Sequence, residues 1–199
     1  MNFAVMASGR GGNLQAIINA IGDGRIKADL KLVLSDKKDA FALERARKAN
    51  IPDLYINPRD FDSRESYDRA VVERLREFKV DFVVLAGYMR LVSDYFIQQY
   101  PDKILNIHPS LLPEFKGMHA IKDAFDSGAA ATGCSVHFVV KEMDAGPVIL
   151  QEKVGISRQD TLESLEEKIH QAEHRVYPQA IDLFVRGKLK LEGGKVTVL

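Results

Sequence analysis

The chain has 199 residues, 46% of them hydrophobic and 28% charged, proportions typical of one globular domain with a sizeable core. Lys plus Arg and Asp plus Glu are equal at 28 each, so no global field favours nucleic acid or an anionic membrane. No stretch approaches the roughly 18 uncharged apolar residues of a membrane span, and the start lacks a signal-peptide pattern. Composition therefore predicts a cytoplasmic protein that binds small molecules, with no nucleic-acid or membrane partner.

Short apolar runs alternate with amphipathic segments along the first half of the chain. The strand-like runs, in order, are NFAVMA, LKLVLS, DLYIN, DFVVLAG and KILNIH. Segments of helical period separate them, beginning near Asn13, Ala40, Ser63 and Ser93. This alternation predicts an α/β fold of Rossmann-like type, with an open, mostly parallel sheet and helices on both faces.

The pattern changes after Pro113. A helix is predicted near His119 to Ser127, followed by the strand-like runs CSVHFVV and GPVILQEKV and a long helix from about Thr161 to Phe184. The last residues, KLKLEGGKVTVL, indicate a hairpin that turns at Gly193 and Gly194. We therefore expect a C-terminal part with antiparallel strands and a long helix, within a single domain spanning residues 1–199.

The segment ASGRGGNLQAII reads as a strand end, a glycine-rich turn and a helix start, with Asn13 as the expected N-cap. Glycines let the backbone approach a ligand, and the free N–H groups at a helix start suit a phosphate. The dinucleotide pattern G-x-G-x-x-G fails at Leu14, and the Gly-Lys-Ser/Thr of the P-loop is absent. Phosphate binding is favoured, and the alternative is a tight β-to-α turn with no ligand.

The segment ILNIHPS carries an amide and an imidazole two residues apart. Asn106 and His108 would share one face of a strand, and Pro109 places His108 at its C-terminal end, where open α/β sheets bind ligands. An amide donor beside a histidine suits oxyanion stabilisation and proton transfer in acyl transfer. Asp144, in the later segment EMDAGPVIL, is the expected partner of the histidine. The alternative is a hydrogen-bonded strand-end histidine without a catalytic role.

These segments together resemble a known family. NIHPSLLPEFKG, TGCSVHFV and DAGPVILQ are similar to the formyltransferases that use 10-formyltetrahydrofolate. SGRGGNLQAII, DAFALERA, FDSRESYDR and VLAGYMRLVS narrow the resemblance to the phosphoribosylglycinamide formyltransferase family of purine biosynthesis. The resemblance covers nearly the whole chain. It implies an enzyme that transfers a formyl group from 10-formyltetrahydrofolate to the amine of 5'-phosphoribosylglycinamide, acting as a monomer or homodimer.

The resemblance also implies roles for individual residues. It makes Asn106, His108 and Asp144 catalytic, without a metal or a covalent enzyme intermediate. The N-terminal half, about 1–100, would bind phosphate, and the C-terminal half, about 101–199, would hold the catalytic residues and bind folate. The implied substrate-binding residues are Gly11, Gly12 and Asn13 for phosphate and Glu173 for ribose. The implied folate-binding residues are Arg64, which would meet the glutamyl tail, Met89, Arg90, Leu91, Val92, Val140, Lys141, Glu142, Met143 and Asp144.

The sequence departs from the family pattern at three positions. Gly12 stands where many members have serine, so one hydroxyl contact to phosphate would be missing. Cys134 replaces the usual threonine or serine before SVHF, and Arg10 occupies a variable loop position. None of these departures affects the catalytic residues that the resemblance implies.

Other readings remain open at this point. HQAEH, from His170 to His174, fits the H-x-x-E-H zinc-protease pattern, although little chain follows it to supply a third ligand. Cys134 could be a nucleophile, but a small buried thiol is the more usual case. His119 is expected at a helix start and His137 in a strand, both with structural roles. The remaining alternatives are a non-catalytic nucleotide-binding module and, within the same superfamily, a hydrolase or a tRNA-directed formyltransferase.

Overall fold

The computed structural model describes all 199 residues. The strands are β1 (Asn2–Met6), β2 (Asp29–Ser35), β3 (Asp53–Tyr55), β4 (Phe82–Leu85), β5 (Ile104–His108), β6 (Ala131–Phe138), β7 (Val148–Gly155), β8 (Leu189–Glu192) and β9 (Lys195–Val198). The helices are α1 (Gly12–Gly22), α2 (Phe41–Lys48), α3 (Arg64–Glu77), α4 (Asp94–Gln99), α5 (Ala120–Asp126) and α6 (Leu162–Val185). A short 3-10 helix, Pro58–Asp60, precedes α3.

One sheet contains seven strands, in the order β3-β2-β1-β4-β5-β6-β7. β1 pairs in parallel with β2 and with β4, and β2 pairs in parallel with β3. β6 and β7 are antiparallel, and β8 and β9 form a separate antiparallel pair. Because parallel neighbours need a crossover between them, helices lie between these strands in the chain. The predicted fold class, a mostly parallel sheet followed by antiparallel strands and a long helix, is confirmed.

The first of two compact units spans Met1–Leu105 and contains the parallel strands β1 to β4. Every residue from Phe3 to Ala7 is fully buried, which is the burial expected of a parallel strand that is covered on both faces. The rings of Phe3 and Phe82 stack with centroids 5.0 Å apart across the β1–β4 pair. Burial on both faces explains why β1 and β4 appear in the sequence as continuous apolar runs.

The second unit spans Asn106–Leu199. Helix α6 packs against β6 and β7, and its buried stripe includes Leu165, Ile169, Ala172 and Val176 at helical spacing. The helix begins at a capping box in which Thr161 and Ser164 satisfy each other's backbone N–H groups. No helix of the chain combines the length and the apolarity needed to cross a membrane.

Two predicted boundaries are wrong. Asn13 is not the N-cap of α1, because the helix already begins at Gly12 after the N-cap Gly11. Gly11 has a φ of 71°, in the left-handed region, and the helix starts as soon as the chain leaves that residue. β6 begins at Ala131 rather than at Cys134, because its antiparallel pairing with β7 extends to the pair Ala131 and Gly155.

Candidate active site

β5 ends at His108, as the following Pro109 predicted. Asn106 and His108 are two residues apart on this strand, and the His108 side chain is buried. Asp144 lies in the loop between β6 and β7, with a left-handed φ of 51°. The carboxylate Oδ2 of Asp144 is 3.4 Å from His108 Nδ1, and the two side chains are only 10% and 6% exposed. The three residues predicted to be catalytic thus all lie in the second unit.

Each ring nitrogen of His108 lies close to an oxygen atom. Its Nε2 lies 2.8 Å from the carbonyl oxygen of Phe115, which can only accept, so Nε2 carries the hydrogen. Its Nδ1 faces Asp144 Oδ2. An imidazolium can satisfy both oxygens at once, whereas a neutral imidazole can donate to only one. The arrangement therefore suits a histidine that becomes positively charged during a reaction.

The loop that supplies Phe115 also contacts Asp144. The backbone N–H of Gly117 donates to Asp144 Oδ2 at 3.0 Å. Phe115 and Gly117 both have positive φ angles, 48° and 95°. This tight turn brings one carbonyl to His108 and one N–H to Asp144, so the same short loop holds both members of the pair in place.

His137 joins the cluster from β6. Its Nδ1–H donates to the carbonyl of Phe138 at 2.9 Å, which leaves Nε2 as the acceptor for the amide nitrogen of Asn106 at 3.0 Å. Burial lowers the pKa of His137, and this favours the neutral form that such acceptance requires. His137 thereby fixes the Asn106 amide, and the second N–H of that amide can donate to another acceptor. Asp144 Oδ1 lies 3.7 Å from the same Nε2.

The sequence predicted a structural role for His137 but not its contact with Asn106. The available signal was a histidine within the largely apolar run SVHFVV. A buried polar side chain needs a hydrogen-bond partner, so this histidine had to meet another polar group in the folded chain. Sequence alone did not say that the group would be Asn106, because that contact joins β5 to β6.

The glycine loop belongs to the first unit and is braced against α2. The backbone N–H of Ala42 donates to Gly9 O at 3.1 Å, and Arg45 Nε donates to Arg10 O at 2.8 Å. Helix α1 has no side-chain cap and no acidic residue in its first turn, so its positive end is not neutralised locally. A cavity of about 370 Å³ opens beside the loop, lined by Ser8, Gly9, Arg10, Lys37, Asp39, Ala40 and Phe41. The lining residues Ser8 to Arg10 directly precede Gly11, Gly12 and Asn13, and the start of a helix is a place that favours an anion.

The segment Met89–Val92 follows β4 in the same unit. Met89 and Leu91 are exposed apolar side chains. The Arg90 guanidinium lies 4.9 Å from the centroid of the Tyr67 ring, a cation–π geometry. Arg64, the first residue of α3, is exposed. The segment thus exposes two apolar side chains on either side of an arginine that contacts an aromatic ring.

The remaining residues predicted to bind substrate lie in the second unit. Val140, Lys141, Glu142 and Met143 are exposed in the loop that leads to Asp144. Val140 and Met143 present apolar side chains to solvent there. Glu173 is buried on α6. The structure brings Asp144 to His108 and to His137, the partner of Asn106.

Comparison with known proteins identifies the family. Residues 1–181 match the formyl transferase family. The chain belongs to this family. It is 45% identical to the phosphoribosylglycinamide formyltransferase of Escherichia coli (strain K12) over 191 residues, which cover 96% of this chain and 90% of that protein.

Further relatives of this formyl transferase agree. The phosphoribosylglycinamide formyltransferase of Bacillus subtilis (strain 168) is 42% identical, over 90% of this chain and 92% of that protein. The crystal structure of glycinamide ribonucleotide transformylase 1 from Symbiobacterium toebii superposes with a TM-score of 0.98 and 46% identity. That match covers 100% of this chain and 94% of the other. The resemblance inferred from the sequence is confirmed: the chain is a formyl transferase enzyme.

Neither the zinc site suggested by HQAEH nor a nucleophilic Cys134 is supported by the structure of this formyl transferase. In the HQAEH segment of α6, His170 is exposed and Glu173 is buried. No group of three or more His, Cys, Asp or Glu side chains assembles in a geometry that could hold a metal ion. Cys134 is fully buried, and burial raises the pKa of its thiol to about 12, so it stays protonated. The expectation of a buried thiol is confirmed.

Proposed function

We propose that this formyl transferase moves the formyl group of 10-formyltetrahydrofolate to the amine of 5'-phosphoribosylglycinamide, a step of de novo purine biosynthesis. The relatives that bear the name of this activity cover nearly the whole chain. The observation that carries the proposal is the contact of His108 Nδ1 with Asp144, beside an Asn106 amide held by His137. Acyl transfer needs a donor for an oxyanion and a partner for proton transfer, and this cluster contains both.

In the proposed reaction the amine nitrogen attacks the formyl carbon, a carbon–nitrogen bond forms, and the carbonyl oxygen becomes an oxyanion. The second N–H of Asn106 and the Nε2–H of His108 donate to this oxygen. Because the Nε2–H of His108 donates to Phe115 O in the structure, it must exchange that carbonyl for the oxyanion. Asp144 stabilises the imidazolium from the Nδ1 side.

The intermediate then collapses. The bond between the formyl carbon and N10 of the folate breaks, the attacking nitrogen loses a proton, and N10 gains one. Asp144 helps to relay this proton through water, so the products are the formamide and tetrahydrofolate. No bond to the enzyme forms, and no metal is part of this scheme.

Substrate binding is assigned as the resemblance implies. In the first unit we assign the phosphate to Gly11–Asn13, the folate ring to Met89–Val92 and the glutamyl tail to Arg64. In the second unit we assign further folate contacts to Val140–Asp144 and the ribose to Glu173. We further propose that residues 1–199 act as a single formyltransferase domain, as a cytoplasmic monomer or homodimer.

One assay tests the proposal directly. Purified protein is mixed with 10-formyltetrahydrofolate and glycinamide ribonucleotide, and the folate absorbance is followed with time. We expect formyl transfer that requires the ribonucleotide, persists in the presence of EDTA and is absent when methionyl-tRNA replaces it. No transfer to the ribonucleotide, or transfer to methionyl-tRNA at an equal rate, would overturn the proposed substrate. Loss of activity with EDTA, together with one zinc per chain by elemental analysis, would overturn the metal-free scheme.

A further inference from the structure

Ser8, the second residue after β1, makes three hydrogen bonds that join three segments of the first unit. Its backbone N–H donates to Gly87 O at 2.9 Å. Its hydroxyl donates to Asp36 Oδ1 at 2.6 Å and accepts the backbone N–H of Met89 at 2.9 Å. Ser8 therefore contacts both the residue that follows β2 and the turn that follows β4.

Asp36 determines the direction of the Ser8 hydroxyl. A hydroxyl has a single proton, and a carboxylate accepts it in a strong, short hydrogen bond. With that proton held by Asp36, a lone pair of Ser8 Oγ faces the Met89 N–H. Asp36 is only 5% exposed, so solvent competes little for this bond.

The turn that Ser8 holds leads into the segment Met89–Val92. The two bonds to Gly87 and Met89 enclose Tyr88, whose buried hydroxyl donates to Tyr67 at 3.0 Å. Gly87 has a φ of 73°, so the chain reverses sharply here. The Met89 side chain is 63% exposed and contributes little packing of its own. The backbone bonds to Ser8, together with the buried Tyr88 between them, therefore set where this segment begins.

We propose that Ser8, oriented by Asp36, is a positioning residue that places Met89–Val92 for binding of the folate co-substrate. The inference rests on the proposed function, which assigns the folate ring to that segment. Ser8 lies three residues before Gly11, the first residue assigned to phosphate, and its hydroxyl bonds to Asp36 and Met89.

The test is a split between two Michaelis constants. Ser8→Ala removes the acceptor for Met89, and we expect the KM for 10-formyltetrahydrofolate to rise by about fivefold to tenfold, the size of one lost hydrogen bond. The KM for the ribonucleotide should change by less than about twofold on the same scale. Asp36→Asn keeps an oxygen that accepts from Ser8 and should preserve the folate KM. Asp36→Ala should raise the folate KM by about as much as Ser8→Ala does.

Ser164→Ala is the matched control. Ser164 also donates to a carboxylate, that of Asp160 at 2.8 Å, and accepts a backbone N–H, that of Thr161 at 3.0 Å. Neither bond involves a segment assigned to substrate, so Ser164→Ala should leave both Michaelis constants unchanged. An unchanged folate KM in Ser8→Ala, or an equal rise in Ser164→Ala, would overturn the inference.

A second measurement needs no substrate. Hydrogen exchange of the Met89 amide should be faster in Ser8→Ala than in the wild type, and unchanged in Ser164→Ala. Unchanged exchange at Met89 would overturn the anchoring role even if the proposed activity holds. Conversely, an inactive wild-type protein would contradict the proposed function and leave the exchange result to decide the anchor. If Ser8→Ala does not fold, Asp36→Ala decides the question with the same two readouts.

Discussion

Asp144→Asn tests the proposed catalytic cluster with the smallest change of shape. The amide retains an oxygen for the Gly117 N–H but loses the negative charge that faces His108. Unit charges 3.4 Å apart interact by about 5 kcal/mol at an effective dielectric constant of 20. If about half of that interaction develops only in the transition state, kcat falls about 100-fold, or about 2.7 kcal/mol.

The assay is the steady-state rate with both substrates varied, for Asp144→Asn, His108→Ala and the double variant. Because the two residues act as one unit, the double variant should be far less impaired than the product of the two single losses. Asp182→Asn serves as the control, since it removes a carboxylate paired with Arg186 on α6, outside the assigned site. Losses in the double variant that multiply fully would show that Asp144 only shapes its loop, and the mechanism would have to be abandoned.

Three further predictions concern the glycine loop, His137 and the start of α6. Gly11→Val should raise the KM for the ribonucleotide by a factor at least about ten times larger than the factor for the folate KM. Gly11 has a left-handed φ and a Cβ there would lie 3.0 Å from Ala42, so valine would distort the loop. Equal increases in the two KM values would contradict the phosphate assignment. His137→Leu should lower kcat about tenfold, because the Asn106 amide loses the acceptor that holds it. His137→Gln should be less impaired. A wild-type kcat in His137→Leu would show that the contact is dispensable. Lys168 and Ser157 hold the pKa of Asp160 down at about 2, so its folded carboxylate stabilises the protein above about pH 4. The loss of thermal stability in Asp160→Asn should therefore be full at neutral pH and fade as the pH falls towards 2, and a loss independent of pH would refute this origin.

The sequence predicted the features that depend on local pattern. The parallel strands β1 and β4 were recognised because burial on both faces makes them continuous apolar runs, and β2 is buried only from Leu32 to Ser35. The end of β5 at His108 followed from Pro109, which cannot continue a ladder. In each case the information lies within a few neighbouring residues.

Features that depend on contacts between distant segments were not predicted. The start of α1 was misplaced because Gly11, pressed against Ala42 of the next helix, takes a left-handed conformation that no local pattern announces. The partner of Asn106 was missed because it lies 31 residues away on another strand. The Ser8–Asp36 bond joins the ends of two strands and likewise leaves no sequence signature. Hydrogen bonds across a sheet are properties of the fold, and a local reading of the chain does not contain them.

Because Cys134 is buried, its reaction with a thiol reagent can report local opening of the second unit. Cys134 is the single cysteine of the chain, it has no exposed surface, and its thiol is held in the unreactive neutral form. A thiol reagent such as Ellman's reagent can therefore reach it only when β6 separates from its neighbours. The modification rate under native conditions would measure how often that opening occurs, and added substrates should slow it if they bind the closed form. A cysteine introduced on the surface would react first and alone, so a fluorophore could be attached there without removing the native residue.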